Sequence, residues 1–161
     1  MTINPPQVAL LGSLQVTKIS AAGEPMPIDR DDHAAVLYPD FGIMFAVRAK
    51  GFDKAVHFDG AMKRATDLTH ANQEGWTLAP DIRLQLLTTD YGRYSPAADP
   101  TLYPDVRSEW YWTAHGCAWS LEDGAPRAFW QVSGHDGGVA TGYRYYGAFA
   151  RPCRFVARPG Q

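Results

Sequence analysis

The sequence predicts an α+β domain, with two helices packed on short antiparallel sheets and a loop-rich C-terminal half. Three observations predict it. Short runs rich in β-branched and aromatic residues, bounded by Pro, Gly and Asp, occupy both ends of the chain. Helical periodicity is confined to the middle. The resulting order is strands, two helices, a long loop and then an antiparallel meander, which segregates helix from sheet as α+β domains do.

Each element has a local reason. In residues 1–30, VALLGSLQVTKI reads as one or two strands with a break at Gly12, and AAGEPMPIDRDD as a polar, proline-bearing connector. This segment is too small to own a core. Residues 1–30 are therefore expected to be an N-terminal arm for attachment, and residues 31–161 the domain proper. AAVLYPDFGIMFAVRAK gives two strands about a turn at Pro39-Asp40-Phe41-Gly42, where Asp and Gly supply the turn chemistry. Asp53 to Asn72 has helical period, with Val56, Ala61, Met62, Ala65, Leu68 and Thr69 on one face. Asp53 is the expected N-cap and Gly75 the stop. A second helix follows TLAP, with Pro80 near its first turn, and ends before Asp90-Tyr91-Gly92.

The loop GRYSPAADPTLYPDVRS, residues 92–108, carries three prolines. A loop of this length either serves function or covers another element. From residue 109 onward EWYWTA, CAWSL, AFWQVSG, VATGYRYYGAF and CRFVAR read as short aromatic strands. Glu122-Asp123-Gly124 and His135-Asp136-Gly137-Gly138 read as hairpin connections. No internal repeat is present.

Charge and composition exclude several functions. With 45% hydrophobic and 20% charged residues, the composition is ordinary for a globular domain. The net charge of −2 and the lack of a Lys/Arg block give no footprint for nucleic acid. The apolar runs are too short to span a bilayer, so no membrane insertion is expected. The N-terminus has no basic region ahead of its apolar stretch, and no signal peptide is expected. GHDGG is not followed by a helix, so it is a turn rather than a phosphate cradle. Neither a Ser/His/Asp set nor a carboxylate pair follows from spacing. Glu24-Pro25 and Asp99-Pro100 lack the further oxygen ligands that calcium wants, and no metal or cofactor is expected. Cys117 and Cys153 sit in no CxxC and are expected as buried thiols, with a disulfide as the alternative.

What remains is the aromatic content. Four of the five tryptophans fall between Trp110 and Phe155, together with Tyr111, Tyr143, Tyr145 and Tyr146. A small core uses only some of them, and surplus aromatic area suggests a contact surface. Trp110, Trp119, Tyr143, Tyr145 and Tyr146 are the candidate binding residues, with His135 beside them. In YRYY, strand alternation puts Tyr143 and Tyr145 on one face and Arg144 and Tyr146 on the other.

Several motifs, taken in order, resemble a bacterial and phage family with a C-type-lectin-like fold. It is the family of the C-terminal domain of a collagen-like adhesin, distantly related in fold to the formylglycine-generating enzymes. Asp40, Gly42, Ile43, Met44 and Phe45 stand in the order of its opening turn. Gly75, Trp76, Thr77, Leu78, Ala79 and Pro80, followed by Leu84 and Leu87, are similar to its Gly-Trp-Arg-Leu-Pro segment. Pro96, Asp99, Tyr103 and Pro104 match its proline loop, and Tyr111, Trp112, Thr113 and Ala114 its Tyr-Trp strand. Phe129-Trp130-Gln131-Val132 and Pro152-Cys153-Arg154-Phe155 match its closing motifs. The resemblance covers residues 35–157. Phe45 stands where the family has tryptophan, and the helix cysteine that partners the C-terminal one is missing. The resemblance makes Trp76, Trp112 and Trp130 core residues.

It also implies a non-catalytic component of a phage or prophage virion. Residues 1–30 would join other virion subunits in a homo-oligomer, and the aromatic surface would contact a glycan or protein on the host cell. One alternative is a purely structural subunit whose aromatic face meets its neighbours. The other is an oxidase of the formylglycine-generating type, which would need Cys117 and Cys153 together in a cleft.

Overall fold

A computed structural model of the protein describes residues 14–157. Its class is α+β, as the residue patterns predict, with two short helices and three small antiparallel sheets among the described residues. The strands are β1 (Thr17–Ile19), β2 (Pro25–Met26), β3 (Ala35–Tyr38), β4 (Ile43–Ala46), β5 (Trp110–Gly116), β6 (Leu121–Glu122), β7 (Ala125–Pro126), β8 (Ala128–Ser133), β9 (Val139–Tyr143) and β10 (Cys153–Phe155). The helices are α1 (Phe58–Thr66) and α2 (Ile82–Gln85), the second continued by a 3-10 turn at Leu86–Thr88.

A five-stranded sheet runs in the order β10-β4-β3-β1-β2. Its centre is buried on both faces, which explains the unbroken apolar runs AVLY and IMFA. Successive side chains of a strand point to opposite faces. Accordingly Val36, Tyr38, Ile43 and Phe45 join one core cluster, with Val16, Leu102, Tyr103 and Cys153. Ala35, Met44 and Ala46 join another on Ile19, Ala71 and Trp76. Tyr38 can sit fully buried because its hydroxyl reaches the Leu87 carbonyl at 2.9 Å and the Tyr103 hydroxyl at 2.6 Å.

The expected boundary at residue 30 is not where the structure breaks. β1 pairs with β3 in the register Thr17↔Leu37 to Ile19↔Ala35, and Val16, Lys18 and Ile19 are buried. Residues 14–30 are therefore an edge of the main sheet. An isolated segment of that size has no core, so it takes one from the domain. The rest of the expected arm, residues 1–13, lies outside the described residues.

The first helix is shorter than its periodicity suggests. His57, not Asp53, is the N-cap, with Nδ1 accepting from the Gly60 amide at 3.0 Å. The helix closes at Asp67, well before Gly75. The N-cap residue types favoured by statistics do not include histidine, so the cap was not legible. The packing face was: Ala61 and Ala65 are buried, joined by Phe58, with Val56 and Met62 partly covered. In α2 the N-cap is Asp81, whose carboxylate accepts from the Arg83 amide at 2.8 Å.

Helix α1 packs on a second sheet, ordered β5-β8-β9. Phe58 stacks on Phe129 with centroids 3.6 Å apart and meets Trp112 edge-on at 5.7 Å. The expected meander is only partial, because the chain leaves this sheet after β9. The Phe149 amide donates to the Trp110 carbonyl and its carbonyl accepts from the Trp112 amide, both at 2.8 Å. β10 then pairs with β4 in the first sheet. Residues 148–155 thus stitch the two sheets together. The long loop 92–108 covers another element: Ala98, Leu102 and Tyr103 are buried in the main core, and Ala97 is buried as well.

Candidate aromatic binding face

The six candidate residues separate to the two ends of the β5-β8-β9 sheet. The register sets this. Trp110 pairs with Ser133 at one end, and Ala128 with Tyr143 at the other.

At the Tyr143 end three rings form a chain. Trp119 meets Tyr143 edge to face at 6.3 Å and 88°, and Tyr143 meets Tyr146 at 6.0 Å and 83°. These are favourable aromatic geometries. The rings nevertheless face water: Trp119, Tyr143, Tyr145 and Tyr146 are 61, 46, 71 and 68% exposed. Leu121, on the neighbouring hairpin, is exposed as well. An edge-to-face cluster left in solvent offers a contact site already arranged, so little side-chain freedom is lost on binding.

The cluster stands on a rigid base. Ser120 is buried, and its hydroxyl donates to the Cys117 carbonyl at 2.8 Å while accepting from the Ala128 amide at 3.0 Å. This holds the 3-10 turn Ala118–Ser120 that presents Trp119. Gly116 is required just before it, because a Cβ there would lie 2.5 Å from Pro126 Cγ. Under the tyrosines, Arg144 turns inward. Its guanidinium donates to the Pro126 carbonyl at 3.2 Å, pairs with Asp59 and lies 5.8 Å from the Phe129 ring centroid. The backbone of Arg144 bonds to the Arg127 carbonyl and the Phe58 amide, each at 2.9 Å.

The alternation expected along YRYY does not occur, because β9 ends at Tyr143. The Tyr146 amide donates to the Tyr143 carbonyl at 3.0 Å, closing a turn. That turn brings Tyr146 to the same side as Tyr143, leaves Tyr145 outside and buries most of Arg144.

Trp110 and His135 belong to the opposite end. Trp110 is 40% exposed at the start of β5 and makes no ring contact with the cluster. His135 is committed internally. Its Nε2 lies 2.9 Å from the Tyr94 hydroxyl and its Nδ1 2.9 Å from Ser95 Oγ, which is 2.5 Å from Ser108 Oγ. This network fastens the 92–108 loop to the β8–β9 hairpin. Ser95 and His135 have the spacing of a nucleophile and its base. Both stand exposed on surface loops, however, and the far imidazole nitrogen meets a phenol rather than a carboxylate. Sequence separation hid this pairing, since the two residues lie on different loops.

Trp76 and Trp112 are buried, with indole nitrogens donating to the Gln73 carbonyl at 3.0 Å and the Val56 carbonyl at 2.8 Å. Trp130 is only half-buried, so the core assignment made for it from the resemblance needs correcting. Cys117 and Cys153 are both buried and free. Burial pushes the Cys153 thiol up to about 12 and raises Cys117 as well. Among the described residues no group of three His, Cys, Asp or Glu side chains is placed to hold a metal ion, and no helix is long and apolar enough to cross a membrane.

Compared with protein-family models, with curated proteins and with solved structures, the chain matches none.

Proposed function

We propose that the protein is a non-catalytic binding component of a phage or prophage particle, and that Trp119, Tyr143, Tyr145 and Tyr146 form its recognition face. The observation that carries the binding role is the exposed edge-to-face cluster on a hydrogen-bonded base. Aromatic rings of this kind stack on the apolar faces of sugar rings or on apolar side chains of a protein, and their phenols and indole supply polar contacts at the rim. The virion context rests on the resemblance of residues 35–157 to the lectin-like family. The C-type-lectin-like assignment is supported by the element order, strands, two helices and then a second antiparallel sheet, and by the C-terminal strand returning to the first sheet.

The oxidase alternative has less support. It needs the two cysteines together in a cleft, whereas both are buried, Cys117 just after β5 of the second sheet and Cys153 on β10 of the first. The structural-subunit alternative uses the same aromatic face for a different partner. One variant separates the two readings: Trp119→Ala combined with Tyr146→Ala. Each truncation at a contact hot spot costs about 2 kcal/mol. Lost host-cell adsorption with intact particles is the expected result. Lost assembly would transfer the face to the structural reading, and normal adsorption with normal assembly would remove it from function.

A further inference from the structure

We infer that a concavity on another side of the molecule, formed by the segments 46–53, 105–111 and 150–152, is a second binding site, for a small oxyanion-bearing ligand of sugar size. Its volume is about 580 Å³, within the common range for small-molecule sites. Arg48, Lys50, Arg107 and Arg151 line it, with Phe52 and Tyr111 as its aromatic walls.

Charge is the first argument. Four cations line the concavity against two carboxylates, Asp53 and Asp105, in a chain whose net charge is −2. Asp105 is already engaged: it accepts from the Arg48 amide at 2.7 Å and lies 3.0 Å from Arg151 Nη1. Among the described residues Arg48, Lys50 and Arg107 form no salt bridge with any carboxylate. A concave wall of one sign focuses potential on whatever enters it.

Preorganisation is the second. Arg48 is a non-glycine residue at φ 56°, a conformation L side chains rarely adopt. The Asp105 carboxylate holds its amide there, and so fixes where the side chain leaves the backbone. Residues kept in such conformations gather at ligand sites. Arg151 is buried, and its guanidinium lies 4.6 Å from the Tyr103 ring centroid and donates to the Ala46 carbonyl at 2.8 Å. Arg107 lies over Phe149 at 5.2 Å. Arg151, already paired with Asp105, anchors the floor, while the exposed Arg107 guanidinium, held by its aromatic contact, suits the paired oxygens of a carboxylate or phosphate. Phe52 and Tyr111 would cover the apolar face of an attached sugar ring.

The test is titration of the full chain with glucuronic acid, glucose 1-phosphate and glucose, followed by NMR chemical shifts at low salt. Binding of an anionic sugar is expected in roughly the millimolar range, with glucose at least tenfold weaker and with weakening as salt rises. Preference for glucuronic acid assigns the site to carboxylates, and preference for glucose 1-phosphate to phosphates. The double variant Lys50→Gln with Arg107→Gln, both exposed positions, should lose affinity about tenfold. Arg48→Gly should do the same, since glycine keeps the left-handed backbone without strain. Tyr146→Ala should leave this binding unchanged, which keeps the site independent of the aromatic face. No binding by either anion, equal binding of glucose, or undiminished affinity in these variants would overturn the inference.

Discussion

At the scale of single residues, the buried polar groups decide how the core responds to change. Arg151 is buried and Asp105 is its partner at 3.0 Å. Burial pushes the Asp105 carboxyl up, but the Arg151 charge and the Arg48 amide pull harder, and the group titrates below its usual value. Asp105→Ala should destabilise by about 3 kcal/mol, because it strands a buried guanidinium; urea melts measure this, and a loss near zero would mean Arg151 finds another partner. Trp112→Ala should cost about 3–5 kcal/mol, the range for truncating a buried large aromatic. A loss under about 1 kcal/mol would put Trp112 at the periphery.

His33 gives the pH dependence. It is buried, with Nε2 2.6 Å from the Leu102 carbonyl and with Nδ1 unpaired among the described residues. Burial lowers its affinity for a proton below the ordinary 6.5; the Leu102 bond opposes this, Lys18 and Arg48 reinforce it, and Asp105 opposes. The unfolded chain therefore takes up this proton at a higher pH than the folded one does. Stability is whole above about pH 6.5 and is lost as pH falls from there through the folded value. Asp105 adds a loss of the same sign at lower pH, below 3.8. Urea midpoints should fall between pH 7 and about pH 5, and His33→Gln should flatten that fall. An equal slope in the variant would assign the effect elsewhere.

At the scale of elements, the sequence showed type better than extent. The hairpin at Glu122-Asp123-Gly124 was legible because its turn needs left-handed residues, and Asp123 and Gly124 sit at φ 52° and 78°. The turn between β3 and β4 was legible for the same chemical reason. The helix ends were not, since a histidine cap and a C-cap at Asp67 carry no strong local signal. The sheet edge at residues 14–30 was not legible because β1 and β2 are short, and short strands gain their stability from partners distant in sequence. Deleting residues 14–28 removes both strands and takes Val16 and Ile19 from the core. The near-UV circular dichroism signal should then be lost. A truncated chain that keeps its signal would show the edge to be dispensable.

At the scale of the whole molecule, the surplus of aromatics was legible as composition but its distribution was not. Which rings are buried depends on how β5, β8 and β9 align. That alignment follows from pairings between residues distant in sequence, such as Trp110 with Ser133 and Ala128 with Tyr143. Ending β9 at Tyr143 gathers Trp119, Tyr143 and Tyr146 and sends Trp110 and His135 to the far end. The concave basic site was illegible for the same reason, because its cations come from three separated segments and form no block in the sequence.

The central claim is that the Trp119–Tyr146 cluster is where the protein meets its partner. Hydroxyl-radical footprinting of the full chain, free and adsorbed to intact host cells, tests it most directly. Trp119, Tyr143, Tyr145 and Tyr146 should oxidise readily in the free protein and be protected when it is adsorbed, while Tyr91 and Tyr94, exposed on the other loop, react equally in both states. Equal oxidation of the four cluster residues in both states, with the protein demonstrably adsorbed, would contradict the account.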